Sequence, residues 1–297
     1  MMTTTLRQLR YLDALARHQH FGRAADAASI SQPALSMQIK ELEDALGVVL
    51  IERGGRQVSL TRVGADVAAR ATDILRAVDE LGDVARASHD RFVGRLRLGI
   101  IPTIGPYLLP QIFTAMAEAN PDLDIVVRET TTERLIDELS RGALDAAIVA
   151  LPVSEPGLSE VALFDEAFVL VRPKSDGGKP LPNATDLREM RLLLLEEGHC
   201  FRDQALSFCK LTSASARDVL DASSLATLVQ MVGAGFGVTL LPEMAVPIET
   251  RSADVVIARF RRPQPKRTIG LVWRKSSPLE AHLSDVAKIV RTAGQKR

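Results

Sequence analysis

Long apolar runs are missing from this chain of 297 residues. No stretch reaches the ~18–20 consecutive apolar residues that span a bilayer, so neither a transmembrane helix nor a membrane partner is expected. The N-terminal MMTTTLRQLRYLDAL carries Arg7 and lacks the uninterrupted apolar stretch of a secretory signal. The expected location is the cytosol. Net charge is missing as well, because 37 Lys and Arg balance 37 Asp and Glu. A polycation that coats nucleic acid is therefore excluded, though a local basic patch is not. Through Arg62 the eight basic residues Arg7, Arg10, Arg17, Arg23, Lys40, Arg53, Arg56 and Arg62 face six acidic ones, Asp13, Asp26, Glu41, Glu43, Asp44 and Glu52. That excess is too small to identify a DNA-binder by charge alone. Cysteine is the scarcest resource: Cys200 and Cys209, nine residues apart. A reducing compartment disfavours a structural disulfide, which leaves the pair inert, metal-binding or redox-active. Two cysteines with the single neighbouring His199 fall short of the four ligands of a structural zinc site. No metal and no cofactor are expected.

What is present is ordinary globular material, 46% apolar, in a chain long enough for two or three domains. Leu9, Leu12, Ala16 and then Phe21, Ala24, Ala25, Ala28 repeat at helical spacing, predicting helices over 6–17 and 21–28. SISQP follows as a turn. Ser31 suits an N-cap and Pro33 a first helical turn, and Leu35, Ile39, Leu42 and Leu46 then line a third helix closed by Gly47. Val48–Leu50 and Val58–Leu60, with the polar Glu52–Gln57 between them, predict a small β-hairpin, giving a helix-turn-helix with a wing. From 62 to 90 the pattern becomes one long helix in which Val67, Ala71, Ile74, Val78, Leu81 and Ala85 form a heptad seam suited to dimerisation.

Beyond Gly94 the texture changes. RLRLGII alternates as a strand, and a β-α-β-α-β rhythm runs to residue 150, pointing to a doubly wound α/β arrangement. FDEAFVLVRP (Phe164–Pro173) reads as a strand leaving that sheet for a second lobe, and TIGLVWR (Thr268–Arg274) as a strand returning. GAGFG (Gly233–Gly237) has the wrong spacing for a dinucleotide fingerprint and instead predicts a helix end.

Two segments carry chemistry. In SQPALSMQIKELEDALGVVLIER (Ser31–Arg53), the polar Ser31, Gln32, Ser36 and Gln38, with Pro33 among them, can approach base edges and phosphates of double-stranded DNA, while Arg53 and Arg56 suit backbone contacts from the wing. This segment resembles the recognition region of LysR-type regulators, and the likeness continues to Arg274. Two departures stand out: Ile51 where the family usually has Phe, and Ala34 where Ser or Thr is common. The second segment, LLLLEEGHCFRDQALSFC (Leu192–Cys209), places Cys200 at a helix start between His199 and Arg202. A helix N-terminus and nearby cations favour the thiolate, the form that attacks peroxide. Alone, a pair of cysteines at this spacing is more often two packed side chains. The context GHC-x-RDQA-x-x-FC, with IPTIGPYLLP, GVTLLPEMAV and RTIGLVWR, resembles the peroxide-sensing branch of the LysR family.

That resemblance implies an α plus α/β fold: a winged helix-turn-helix over 1–62, a linker helix over 63–93, and a periplasmic-binding-protein-like regulatory domain over 94–297. Its lobes would cover about 94–164 with 267–297, and about 165–266. Cys200 would be the peroxidatic cysteine, Cys209 the resolving cysteine of a Cys200–Cys209 disulfide. Thr103, Thr132, His199 and Arg267 would line a hydrogen peroxide pocket. Arg267 reads equally as a surface charge before a strand. The implied partners are promoter DNA, RNA polymerase, further copies of the chain (a dimer of dimers) and a glutaredoxin or thioredoxin as reductant. Because oxidation is stoichiometric, the chain is not expected to be an enzyme. Two alternatives stay open: a LysR-type regulator that binds a small organic anion between the lobes, and a thiol peroxidase with an accessory DNA-binding domain.

Overall fold

A computed structural model describes residues 4–52, 58–88, 92–180, 187, 190–209, 221–260 and 264–295, with the backbone alone at Cys209. It divides into two compact units, Met1–Ala85 and Arg86–Arg297.

In the first unit, helices α1 (Leu6–His18), α2 (Phe21–Ala27) and α3 (Gln32–Leu46) enclose Leu12, Leu15, Ala24, Ala25, Leu35, Ile39 and Leu42. The helix ends follow from local chemistry. The Thr5 side chain accepts from the Gln8 amide while the Gln8 side chain accepts from the Thr5 amide, a reciprocal cap that starts α1. Ser31 Oγ accepts from Ala34 N at 3.4 Å to start α3, and Gly47 ends it at φ 70°. The expected strand at Val48–Leu50 is corrected. Pairing begins only at β1 (Ile51–Glu52), against β2 (Ser59–Leu60). The reason lies in the buried carboxylate of Glu43, which accepts from Leu50 N at 2.7 Å and Ile51 N at 3.1 Å and ties this segment to α3 instead. Ile51 is buried in the same core, a neutral replacement for a larger apolar side chain. Gly64 is dictated by proximity, since a Cβ there would lie 2.0 Å from the Leu50 carbonyl oxygen.

Helix α4 (Arg62–Ala87) is the expected long helix, but its seam is divided. Ala71, with Leu75, packs on Leu9 of α1, and Val67 packs on the three-helix core. Ile74 and Leu81 stay 46% and 69% exposed, so only the later part of the seam is available to another chain.

The second unit is built on a seven-stranded sheet in the order β10-β6-β11-β5-β3-β4, with β9 also on β6. Here β3 is Gly94–Ile100, β4 Leu123–Glu129, β5 Ala146–Leu151, β6 Leu158–Pro173, β9 Thr239–Pro242, β10 Val255–Arg259 and β11 Lys266–Arg274. The crossing strand starts earlier than the sequence suggested. Residues 158–167 of β6 pair with β11, and 168–173 run on between β9 and β10. One uninterrupted strand thus serves both halves of the sheet. Helices α5 (Gly105–Ala119) and α6 (Thr132–Ser140) follow β3 and β4. The short strands β7 (Leu194–Leu195) and β8 (Asp221–Ala222) pair beside helix α7 (Cys200–Cys209), and α8 (Leu225–Gly233) ends where GAGFG was expected to end it. The chain then passes through α9 (Val246–Glu249) and closes with α10 (Glu280–Gln295).

Replacing Glu43 with Ala leaves the buried Leu50 and Ile51 amides without their acceptor, at a cost of about 1–3 kcal/mol. Calorimetry should show the transition of the first unit moving to lower temperature while that of the second keeps its midpoint. Unchanged unfolding would mean water replaces the carboxylate at no cost.

Candidate functional site

The site forms where three chain segments converge. Ile101–Thr103 leaves the C-terminal end of β3, Thr131 and Thr132 open α6 just beyond the C-terminal end of β4, and His199–Phe201 opens α7. Because β3 and β4 are parallel neighbours, their ends lie side by side, as binding loops do in α/β sheets. Ile101, Pro102, Thr103, Thr131, Thr132, His199, Cys200 and Phe201 line one tightly packed cavity. Gly198, at φ 91°, makes the turn that delivers His199 and Cys200 to it, a conformation that favours glycine.

The sequence-predicted residues meet here in different ways. Cys200 is half-buried and free. Thr103 is buried, and its hydroxyl accepts a hydrogen bond from Arg267 Nη1 at 2.7 Å while its carbonyl accepts from Nη2 at 2.9 Å. Arg267 is itself buried, which removes the surface-charge reading; it reaches the cavity through Thr103 and does not line it. The Thr132 hydroxyl is buried with no hydrogen-bond partner in the described structure, an orphan at the cavity wall. Burial holds the His199 imidazole below its ordinary pKa, against a smaller upward pull from Glu196, so the ring is neutral at neutral pH.

One expectation is corrected. Arg202 does not supply a cation to the Cys200 thiol: its guanidinium donates to the Leu195 carbonyl at 2.9 Å and the Asp221 carboxylate at 2.5 Å, which ties α7 to β7 and β8. With His199 neutral as well, the positive potential at the cavity comes from the N-termini of α6 and α7, whose first residues line it.

Several participants escaped the sequence reading. Glu166 accepts from Arg267 Nε at 2.8 Å, Arg267 stacks 5.8 Å over the Phe168 ring, and Phe168 meets Phe201 edge-on at 5.3 Å. Tyr107 donates to Glu249 at 2.7 Å; burial, then that bond, holds its phenol far above the usual range. Gln204, one helical turn after Cys200, keeps a buried Oε1 with no partner, and only its four-residue spacing could have pointed to it.

In the first unit, Ser31, Gln32, Pro33 and Ser36 are exposed along the start and one face of α3, and Gln38 is half-buried with its amide donating to Glu41 at 2.7 Å. Met37 and Lys40 extend that face and were signalled by their spacing from Pro33 and Ser36. Arg53 and Arg56 lie outside the described residues.

The pattern of a bacterial regulatory helix-turn-helix protein of the lysR family matches residues 6–65, and that of the LysR substrate-binding domain matches residues 89–295. The chain belongs to the LysR family of transcriptional regulators. This LysR-family chain is 42% identical over 288 residues to the DNA-binding transcriptional dual regulator OxyR of Escherichia coli K12, covering 96% of this chain and 94% of that one. It is 45% identical over 293 residues to a probable hydrogen peroxide-inducible genes activator of Streptomyces viridosporus, covering 97% and 94%. Among solved structures it is similar to a hydrogen peroxide-bound cysteine variant of Corynebacterium glutamicum OxyR (TM-score 0.69, 37% identity, 100% and 94% covered). A full-length OxyR cysteine variant of Pseudomonas aeruginosa gives a TM-score of 0.74 at 37% identity, with 98% and 96% covered. The first two of these relatives are named as a transcriptional regulator and a gene activator.

The depressed His199 value has a consequence for stability. A histidine that binds its proton less readily when folded than when unfolded destabilises the fold as pH drops below its ordinary value, and the loss grows until the folded value is reached. His199→Gln should therefore shrink the fall in Tm of the second unit between pH 7.5 and pH 5.5. An identical fall in both proteins would show that His199 titrates normally.

Proposed function

We propose that this chain senses hydrogen peroxide through Cys200 and converts the oxidation into altered promoter contacts. The observation that carries this reading is the cavity shared by Cys200, Thr103, Thr132 and His199. Its lining includes a cysteine, three threonines and a neutral imidazole, which suits a small uncharged ligand rich in hydrogen-bonding capacity. Because Thr103 Oγ already accepts from Arg267, its own hydrogen is available for donation; Thr132 Oγ has both capacities unspent. These are the groups a peroxide needs, one to orient the attacked oxygen and one to stabilise the departing hydroxide.

In the proposed reaction the Cys200 thiolate attacks one peroxide oxygen. An S–O bond forms, the O–O bond breaks, and the hydroxide that leaves takes up a proton. The resulting sulfenic acid condenses with the Cys209 thiol, forming a disulfide and releasing water. A dithiol reductant of the glutaredoxin or thioredoxin kind then restores both thiols, so the cycle is a switch and not turnover.

Helix geometry makes that disulfide a conformational event. Across α7 the nine steps from Cys200 to Cys209 separate their Cα atoms by roughly 13–14 Å and turn the side chains to opposite faces. A disulfide needs Cα atoms within about 4.4–6.8 Å. Residues 201–208 must leave the helix, and with them the fully buried Phe201, the buried Ala205 and Leu206, and Phe208, which meets Phe260 edge-on at 5.1 Å. Each large apolar side chain moved into water forfeits roughly 1.5–3 kcal/mol of burial, enough to drive a repacking. DNA would be read through the exposed Gln32, Pro33 and Ser36 with Ser31 and Gln38, with Arg53 and Arg56 on backbone phosphates, in an assembly of subunits joined along α4 that engages RNA polymerase.

Gel-shift titrations with reduced, peroxide-treated and Cys200→Ser protein test the core of the reading. Peroxide should alter the promoter footprint of the native protein and leave the variant's unchanged, and hydrogen exchange over 200–209 should rise strongly in the disulfide form. Equal footprints, or equal protection of that segment, would end the proposal. The assembly has its own test. Ile74→Glu and Leu81→Glu put a charge on the exposed part of the α4 seam and should lower the sedimenting mass. An unchanged mass for both would place the subunit contact elsewhere.

A further inference from the structure

We propose that Glu166 is a positioning residue for the peroxide reaction, acting through Arg267 on Thr103. The inference rests on Cys200 being the peroxide-reactive thiol. Glu166 and Arg267 stand directly opposite one another in the register of β11 and β6, the strand that runs through both halves of the sheet. Their side chains are 3% and 0% exposed. One carboxylate oxygen of Glu166 accepts from Arg267 Nε at 2.8 Å and lies 2.8 Å from Nη2, and the other accepts from the Met244 amide at 3.0 Å.

Each contact removes a degree of freedom. The Met244 amide fixes the carboxylate, the carboxylate fixes the edge of the guanidinium that carries Nε, and a planar guanidinium then has its other nitrogens fixed too. Those nitrogens hold Thr103 at two points, hydroxyl and carbonyl. A threonine hydroxyl that receives a charged donor must direct its hydrogen elsewhere, and the cavity is on the side Thr103 lines. Glu166 therefore determines which way the Thr103 O–H points although it does not line the cavity itself. It also neutralises the cation beside the cavity, so that Arg267 orients a hydroxyl instead of attracting an anion.

Glutamine at 166 matches the shape but has one acceptor oxygen, so it cannot accept from both Arg267 and Met244. A thermodynamic cycle on the reduced full-length protein uses Glu166→Gln, Thr103→Val and the double variant. Two reactions of Cys200 are timed, oxidation by hydrogen peroxide and alkylation by iodoacetamide. Glu166→Gln should slow the peroxide reaction about ten- to a hundredfold, the scale set by misplacing a reacting group, while alkylation changes less than about twofold. On the Thr103→Val background the same substitution should slow oxidation less than about twofold, because its route of action is gone. Equal slowing of both reactions, or an undiminished effect in the double variant, would overturn the inference and leave Glu166 as a support of the fold. Should Glu166→Gln fail to fold, Glu166→Asp, which keeps the charge and shortens the reach, carries the same cycle with the same expected and contrary outcomes. A native Cys200 that reacts with peroxide no faster than free cysteine would overturn the peroxide reading and this inference with it. A fast native reaction left intact by Glu166→Gln overturns this inference alone.

Discussion

The antiparallel pairing of β6 with β11 is the constraint on which the regulatory unit depends. β6 runs through both halves of the sheet, so a tie made to it bears on both. Their facing pair, Glu166 and Arg267, is buried, and burying two charges is tolerable only where geometry is good and remaining hydrogen-bonding capacity is met. Here it is met from three directions: the Met244 amide, the Thr103 hydroxyl and the Thr103 carbonyl. The ion pair ties the strand that leaves the first half to the one that returns, and extends the tie to the cavity.

Helix α7 is the complementary element, held by contacts that can be exchanged. Phe201 meets Phe168 on β6, and Phe168 carries Arg267 on its other contact. Arg202 holds β7 and β8. The residue after Cys200 is thus packed on β6, and the one after that is bonded to a neighbouring pair of short strands. Proposed formation of a Cys200–Cys209 bond cannot preserve both sets of contacts, because the helix separates the two Cα atoms by about twice the greatest span a disulfide allows. The chemistry is local. Its mechanical result would be the release of Phe201 from its contact with Phe168.

How much of this was legible in the sequence depended on range. Features set within four residues were readable: the Ser31 cap, the Gly47 stop, the helix beginning at Cys200, the helix end at Gly233. So was the succession of short helices, a small hairpin, a long helix and then alternating strands and helices, since the hydrophobic period changes from one to the next. Features set by register were not. Glu166 and Arg267 are 101 residues apart in sequence, and no period announces that they face each other. Arg202 was misread for the same reason: next to a cysteine in sequence, it takes Asp221, 19 residues away, as its partner. The seam of α4 was half right because a heptad pattern states which residues are apolar but not whether their partner is the same chain. Ala71 goes to α1, whereas Leu81 stays in solvent.

The charge arrangement also separates two kinds of ligand. A site built for a small organic anion keeps a cation whose charge is completed only by the ligand. Around this cavity Arg267 is neutralised by Glu166, Arg202 by Asp221, and His199 by loss of its proton. An anion entering would shed its hydration and find hydroxyls and helix ends without a matching full charge, an exchange that disfavours burial. A neutral peroxide sheds little and gains donors already aimed. Compensated cations and available hydroxyl donors act in the same direction, favouring the proposed compact uncharged oxidant over carboxylate metabolites.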